Sequence, residues 1–238
     1  MNILIKLTFI FILISTGSCN PKSDDEQENN PDGNYQQGWN FETNGIPVLI
    51  QADYLELGKI SQISKFRSGE GHNYSDAFES CRSMKHYFMP KSNDQASTIK
   101  IMSPLNGTIS KLTEEWAGTQ VEIQSKEYPD FHVIIFHINL IHPLVTGDSI
   151  KTNQVLGYHI GPQTWSDIAI GCTSNKGWKL VSYFDCMADS IFDHYKTRGA
   201  SNRSDFIISK NDRDAHPLTC SGESFVSGGG LADWVQLN

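Results

Sequence analysis

The chain has 238 residues, a length that suits one sizeable domain with an appendage. Its 27 acidic and 19 basic side chains leave a formal charge of -8. No basic run interleaved with aromatics occurs, so nucleic acid is excluded as an expected partner.

Residues 1-19 read as a secretory signal. Lys6 is followed by the apolar run Leu7-Thr8-Phe9-Ile10-Phe11-Ile12-Leu13-Ile14 and then by small residues, too brief a stretch for a membrane span. Thr16-Gly17-Ser18-Cys19 resembles a bacterial lipoprotein processing box, with Thr16 where leucine is commonest. The resemblance implies a lipid on Cys19 as the mature N-terminus, and an exported protein held to the cell envelope by that anchor alone. Residues 20-44 are polar at first and too poor in apolar side chains to offset ordering entropy. They are expected to form a flexible tether.

From residue 45 the texture becomes that of a folded β domain. Ile46-Pro47-Val48-Leu49-Ile50 opens it, and a short helix is expected near 75-87. Ile99-Lys100-Ile101-Met102 and Leu105-Asn106-Gly107-Thr108-Ile109 come next, with Asn106-Gly107 as a tight-turn signal. Gln120-Val121-Glu122-Ile123-Gln124 alternates as a half-buried strand does. The nearly continuous apolar run Phe131 to Ile138 is expected to be a central strand. Val155-Leu156-Gly157-Tyr158 and Asp167-Ile168-Ala169-Ile170 complete a compact antiparallel β fold over 45-171. Beyond it, Phe184, Met187, Ile191 and Tyr195 fall at helical spacing within 182-196, so residues 172-238 read as a small α-containing C-terminal subdomain.

Cysteines outside the signal are Cys81, Cys172, Cys186 and Cys220. Four in an exported chain point to two disulfides, with three pairings open. No Cys-x-x-Cys occurs, so a thiolate zinc cluster is not expected.

The stretch Gly69-Glu70-Gly71-His72-Asn73-Tyr74-Ser75-Asp76 sets a histidine and an aspartate four positions apart. Either both reach one metal ion, or they stabilise a surface loop through bonds to its backbone. Segments further along the chain favour the metal. Ser103-Pro104-Leu105-Asn106-Gly107-Thr108-Ile109, then Phe136-His137-Ile138, then Gly147-Asp148 leading to Gln154-Val155-Leu156-Gly157, resemble in sequence order the lysostaphin-type (β-lytic) zinc metallopeptidases, which cut peptide cross-bridges in bacterial cell walls. The likeness spans residues 66-170. It implies a divalent ion, zinc, held by His72, Asp76 and Asp167, with His137 polarising the scissile group.

The chain departs from the family at its closing histidine-x-histidine. Here Trp165-Ser166-Asp167 stands instead, with Trp165 at the proton-handling position and Asp167 at the third ligand position. A tryptophan neither accepts nor donates a catalytic proton, and losing one stabilising donor costs about 3 kcal/mol of barrier. Trp165 itself reads as core packing or a cleft wall. Alternation within 131-138 puts His137 on one face with Phe131, Val133 and Ile135. His86 and His159 are further imidazoles within plausible reach. Two functions stay open: a divergent zinc-dependent endopeptidase acting on peptide or peptidoglycan, or a noncatalytic domain binding a wall component or a protein partner.

Overall fold

The computed structural model describes residues 38-238. The signal segment, Cys19 and residues 20-37 of the expected tether lie outside the described residues. Residues 38-44 belong to the fold. Asn40 caps the short helix α1 (Phe41–Asn44) by accepting from the backbone of Glu42 and Thr43, and Trp39 packs edge-on against Phe131 with centroids 5.2 Å apart.

Thirteen strands lie among the described residues. They are β1 (Ile60–Ser64), β2 (His86–Pro90), β3 (Lys100–Met102), β4 (Gly107–Glu115), β5 (Gly118–Ser125), β6 (Phe131–Leu140) and β7 (Ser149–Ile150). Next come β8 (Val155–His159), β9 (Ser166–Ser174), β10 (Gly177–Val181), β11 (Leu218–Ser221), β12 (Ser224–Gly228) and β13 (Trp234–Gln236). Helices α2 (Asp189–Lys196) and α3 (Lys210–Ala215) lie between β10 and β11. One sheet of eleven strands runs β13-β1-β2-β9-β6-β5-β4-β7, with β10 on β9, β8 on β6 and β3 on β8. Its pairings are antiparallel, as the sequence led us to expect.

The central strands are apolar on both faces because both faces are covered. Phe131, Val133 and Ile135 of β6 join Ile168 and Ile170 of β9 in the main core. Ile134, Phe136 and Ala169 point the other way, into a smaller cluster with Phe66, Met84 and Leu180. The loop between β1 and β2 closes that second face, and this loop carries His72.

Several expectations are corrected. Residues 75-85 form no helix. Asp76 begins a turn as a helix cap would, but Cys81 adopts a left-handed backbone with φ 54° and ends it. Asn106-Gly107 does not join a hairpin, since β3 pairs with β8 whereas β4 pairs with β5 and β7. Helix α2 starts only at Asp189, leaving Phe184 in the preceding turn and Met187 in a β-bridge with Ile50. No boundary falls at 171/172: β9 runs through it and β13 returns to pair with β1. Cys172 and Cys186 make no second disulfide. Cys81 is bonded to Cys220, and the other two are buried thiols.

Candidate functional site

The site lies where β6 changes partner. Its first half pairs with β9, ending at Ile135 opposite Ile168, and its last residues pair with β8 from Ile138 opposite His159. The strands part there, and residues 162-165 of the connection line a groove of about 1040 Å³ together with His72, Tyr74, Lys85, Tyr87 and Phe136.

A β-bulge aims His137 into this groove. Thr119 opposes Ile138 and Val121 opposes Ile135, so Gln120 faces two residues, Phe136 and His137. His137 is the extra residue, in the left-handed region at φ 63°. Such an insertion shifts every later side chain to the opposite face. Ile138 therefore takes the core position, and His137 leaves the face of Phe131, Val133 and Ile135 that simple alternation assigned to it.

Register places the other groups. Tyr87 of β2 opposes Asp167 of β9, and Lys85, two residues before Tyr87, projects to the same side. The Lys85 ammonium donates to Asp167 Oδ2 at 2.8 Å and lies 3.2 Å from His72 Nε2. Phe136 presents its ring face to the same nitrogen at 3.5 Å, and Tyr74 does so at 4.5 Å. Lys85 and Asp167 are closed to solvent, with side chains 2 % and 0 % exposed. Removing one partner of such an enclosed pair leaves an uncompensated charge and costs about 3–5 kcal/mol.

Both imidazoles have their tautomers set from behind. His72 Nδ1 lies 3.2 Å from the carbonyl of Asn73, and His137 Nδ1 lies 3.1 Å from that of Ala117. A carbonyl only accepts, so each Nδ1 carries a proton, and the Lys85 ammonium makes His72 Nε2 an acceptor. Burial first, and then the Lys85 charge, hold His72 below the usual histidine range, which favours the neutral ring. His137 Nε2 stands 3.3 Å from Asp167 Oδ1, within ion-pair reach but not aligned for a hydrogen bond. That buried oxygen has no hydrogen-bond partner.

The expected zinc site is not the one these residues build. Asp76 Oδ1 accepts from the backbone N–H of Phe78 and Glu79, and its Oδ2 accepts from that of Leu180. With both oxygens committed to main chain, Asp76 stabilises the loop, the second of the two roles open to it. Lys85 then stands against the two remaining donors of the expected set. A divalent ion does not fit beside an ammonium that already occupies His72 and Asp167, and among the described residues no group of three His, Cys, Asp or Glu side chains is arranged to hold one. His86 and His159 do not fill the gap. His86 donates to the Ser64 carbonyl and bonds Ser182 beneath the sheet, and His159 bonds Thr164. Burial pulls both rings down to about 4.

Trp165 forms a wall of the groove, edge-on to Trp234 and Tyr87. On the far rim, Trp116 at the tip of the β4–β5 hairpin is 83 % exposed. The β11–β12 turn supplies Glu223 and Ser224, fixed by the Cys81–Cys220 disulfide and by the Asn73 N–H donating to the Glu223 carbonyl. Sequence reasoning missed Lys85. Its one signal was a lysine set in the otherwise apolar and aromatic stretch Met84 to Met89.

No protein-family model matches the sequence, and no curated relative matches it. Solved structures give loose likenesses. Csd3 of Helicobacter pylori in its orthorhombic crystal is 16 % identical, with a TM-score of 0.43 over 60 % of this chain and 36 % of that one. The SpoIIQ–SpoIIIAH pore-forming complex contains a chain 14 % identical, with a TM-score of 0.42 over 65 % of this chain and 99 % of that one. The solution structure of lysostaphin is 12 % identical, with a TM-score of 0.31 over 47 % of this chain and 49 % of that one. The chain thus spans about a third of the length of the Csd3 chains it matches.

Proposed function

We propose that this protein is an exported, non-hydrolytic envelope domain whose groove holds a short peptide of the cell-wall cross-bridge type. The observation that carries this reading is the enclosed Lys85–Asp167 pair on the floor of an open groove. Peptide hydrolysis needs an activated water and a group to stabilise the oxyanion. Here Asp76 is committed to backbone, Asp167 to Lys85, and Trp165 stands where the resemblance expects an imidazole.

Binding asks for less. A groove of about 1040 Å³ lies at the upper end of small-ligand sites, roughly 300–1,000 Å³, and leaves room for a short peptide. Its walls offer aromatic faces from Trp165, Tyr87 and Tyr74 and polar contacts from Gln120, Gln163 and Thr164. Export, with a lipid on Cys19 as the envelope anchor, is part of the proposal. The Cys81–Cys220 disulfide suits an oxidising compartment.

The test is co-sedimentation of the purified protein with peptidoglycan sacculi, alongside incubation with synthetic cross-bridge peptides. Binding without release of soluble fragments is expected, with binding weakened by Trp116→Ala. Fragment release would overturn the non-hydrolytic reading. A protein that stays in the supernatant and ignores the peptides would overturn the ligand assignment.

A further inference from the structure

We infer that the groove selects a peptide carrying a free primary ammonium, whose charge is answered by Glu115 and Glu223 beside the tryptophan walls. The inference rests on the peptide-groove reading and adds the chemical class of the ligand.

Among the charged groups lining the groove, the acids are the ones left open. Lys85 is committed internally: its ammonium donates to Asp167 Oδ2 at 2.8 Å, and its side chain is 2 % exposed. Burial, and then the Lys85 charge, hold His72 below the usual histidine range, so that ring adds no positive charge near pH 7. Glu115 ends β4 beside Trp116, and its exposed carboxylate has no partner among the described residues. Its neighbour Glu114 differs, since one of its oxygens accepts from the Thr119 hydroxyl. Glu223, in the β11–β12 turn, comes only within 4.0 Å of His72 Nδ1, which already serves the Asn73 carbonyl.

Two further features favour a cation. Trp116, Trp165 and Tyr87 line the groove, and an ammonium is drawn to aromatic ring faces, to tryptophan most strongly. The molecule already makes this pairing once, where the Lys85 ammonium lies over the rings of Phe136 and Tyr74. Behind the groove wall, buried Asp167 Oδ1 has no hydrogen-bond partner and stands 3.3 Å from His137 Nε2, which lines the groove. A buried carboxylate is screened far less than a surface one, so it adds to the negative field there. A neutral segment leaves both glutamates unanswered, and an anionic one is repelled by them.

Four synthetic peptides of one sequence with a single lysine test this by calorimetric titration at pH 7. Both amines are free in one, either is acetylated in the next two, and both are acetylated in the last. Acetylating the recognised amine should weaken binding about tenfold. Which acetylation does so identifies the source as a diamino-acid side chain or a peptide N-terminus. Glu115→Gln and Glu223→Gln should each weaken the free-amine peptide about threefold and leave the doubly acetylated one unchanged. High salt should narrow the gap between free and acetylated forms. Both replacements are isosteric and exposed, and melting curves check that the fold persists. Equal affinity for all four peptides would overturn the inference and leave the groove reading standing. Discrimination that survives in the double glutamine variant would also overturn it. Failure of every peptide to bind, with no binding to sacculi, would overturn both.

Discussion

The phenol ring of Tyr87 lies against the backbone of Gly71, where a Cβ at residue 71 would come within 2.2 Å of it. Gly71 is also in the left-handed region at φ 68°, and it immediately precedes His72. Gly71→Ala should therefore destabilise the protein by about 3 kcal/mol, combining backbone strain with overpacking. It should also displace His72 and weaken ligand binding. Gly147→Ala is the control: its φ is 99° but nothing lies within 4 Å, so only the backbone cost of roughly 1–2 kcal/mol applies. Chemical denaturation of the two variants checks the difference.

Asp76 gives a second prediction. Its carboxylate accepts three backbone N–H groups, from Phe78, Glu79 and Leu180. Asp76→Ala should cost about 2–3 kcal/mol, as loss of a cap and of partly buried charged acceptors. Urea denaturation of the variant beside the wild type checks the loss.

Stability should fall on acidification, through buried histidines. His86 and His159 are depressed to about 4 chiefly by burial, while an unfolded histidine titrates near 6.5. Both rings are neutral in the folded protein, so their contribution is complete above about pH 6.5. It is lost between there and about pH 4, at roughly 1.4 kcal/mol per pH unit for each ring. Denaturation at stepped pH should show this slope, and His86→Gln should reduce it. An unchanged slope in that variant would remove His86 as a source.

The Cys81–Cys220 bond joins residues 139 apart and ties the His72 loop to the β11–β12 turn. Its loss should cost on the order of 4 kcal/mol, because so long a closed loop restricts the unfolded chain. Cys81→Ser with Cys220→Ser should also free Glu223 and Ser224 from the rim of the groove. Weaker sacculus binding in variant protein that is still folded is the expected result.

Trp116 is the separable case. At 83 % exposure its removal should change stability by less than about 0.5 kcal/mol. Peptide affinity should fall about tenfold if it closes over the ligand as an aromatic anchor. Calorimetric titration beside a melting curve separates the two effects.

Much of the β architecture was legible because burial writes itself into periodicity. β5 alternates between buried and half-buried along its whole length, and the unbroken apolar run of β6 reflects covered faces on both sides. His72, Asp167 and His137 were singled out through motif order; Lys85 reaches the first two, and His137 Nε2 lies 3.3 Å from Asp167 Oδ1. The rest was less visible for physical reasons. A histidine in a bulge carries no signal distinct from one in a regular strand, so His137 was assigned to the wrong face. Lys85 fell within the expected helix near 75-87 and drew no attention, because only the pairing of β2 with β9 brings it to Asp167. Asp76 fits a ligand motif and a backbone cap equally well until Leu180, far along the chain, supplies the third N–H. The union of β13 with β1 joins the first and last strands and has no local cause in either segment.

The two enclosed thiols bear on how the molecule is made. Burial pushes Cys172 up to about 12 and holds Cys186 well above the usual thiol range, so neither is an effective nucleophile once the native state has formed. Before that, the four thiols of the described residues compete for partners, and the correct crosslink must span 139 residues. Productive biogenesis therefore depends on the β-sheet sequestering Cys172 and Cys186 before oxidation proceeds. Recovery from reduced, denatured chains in an oxidising buffer should rise when both are replaced by alanine.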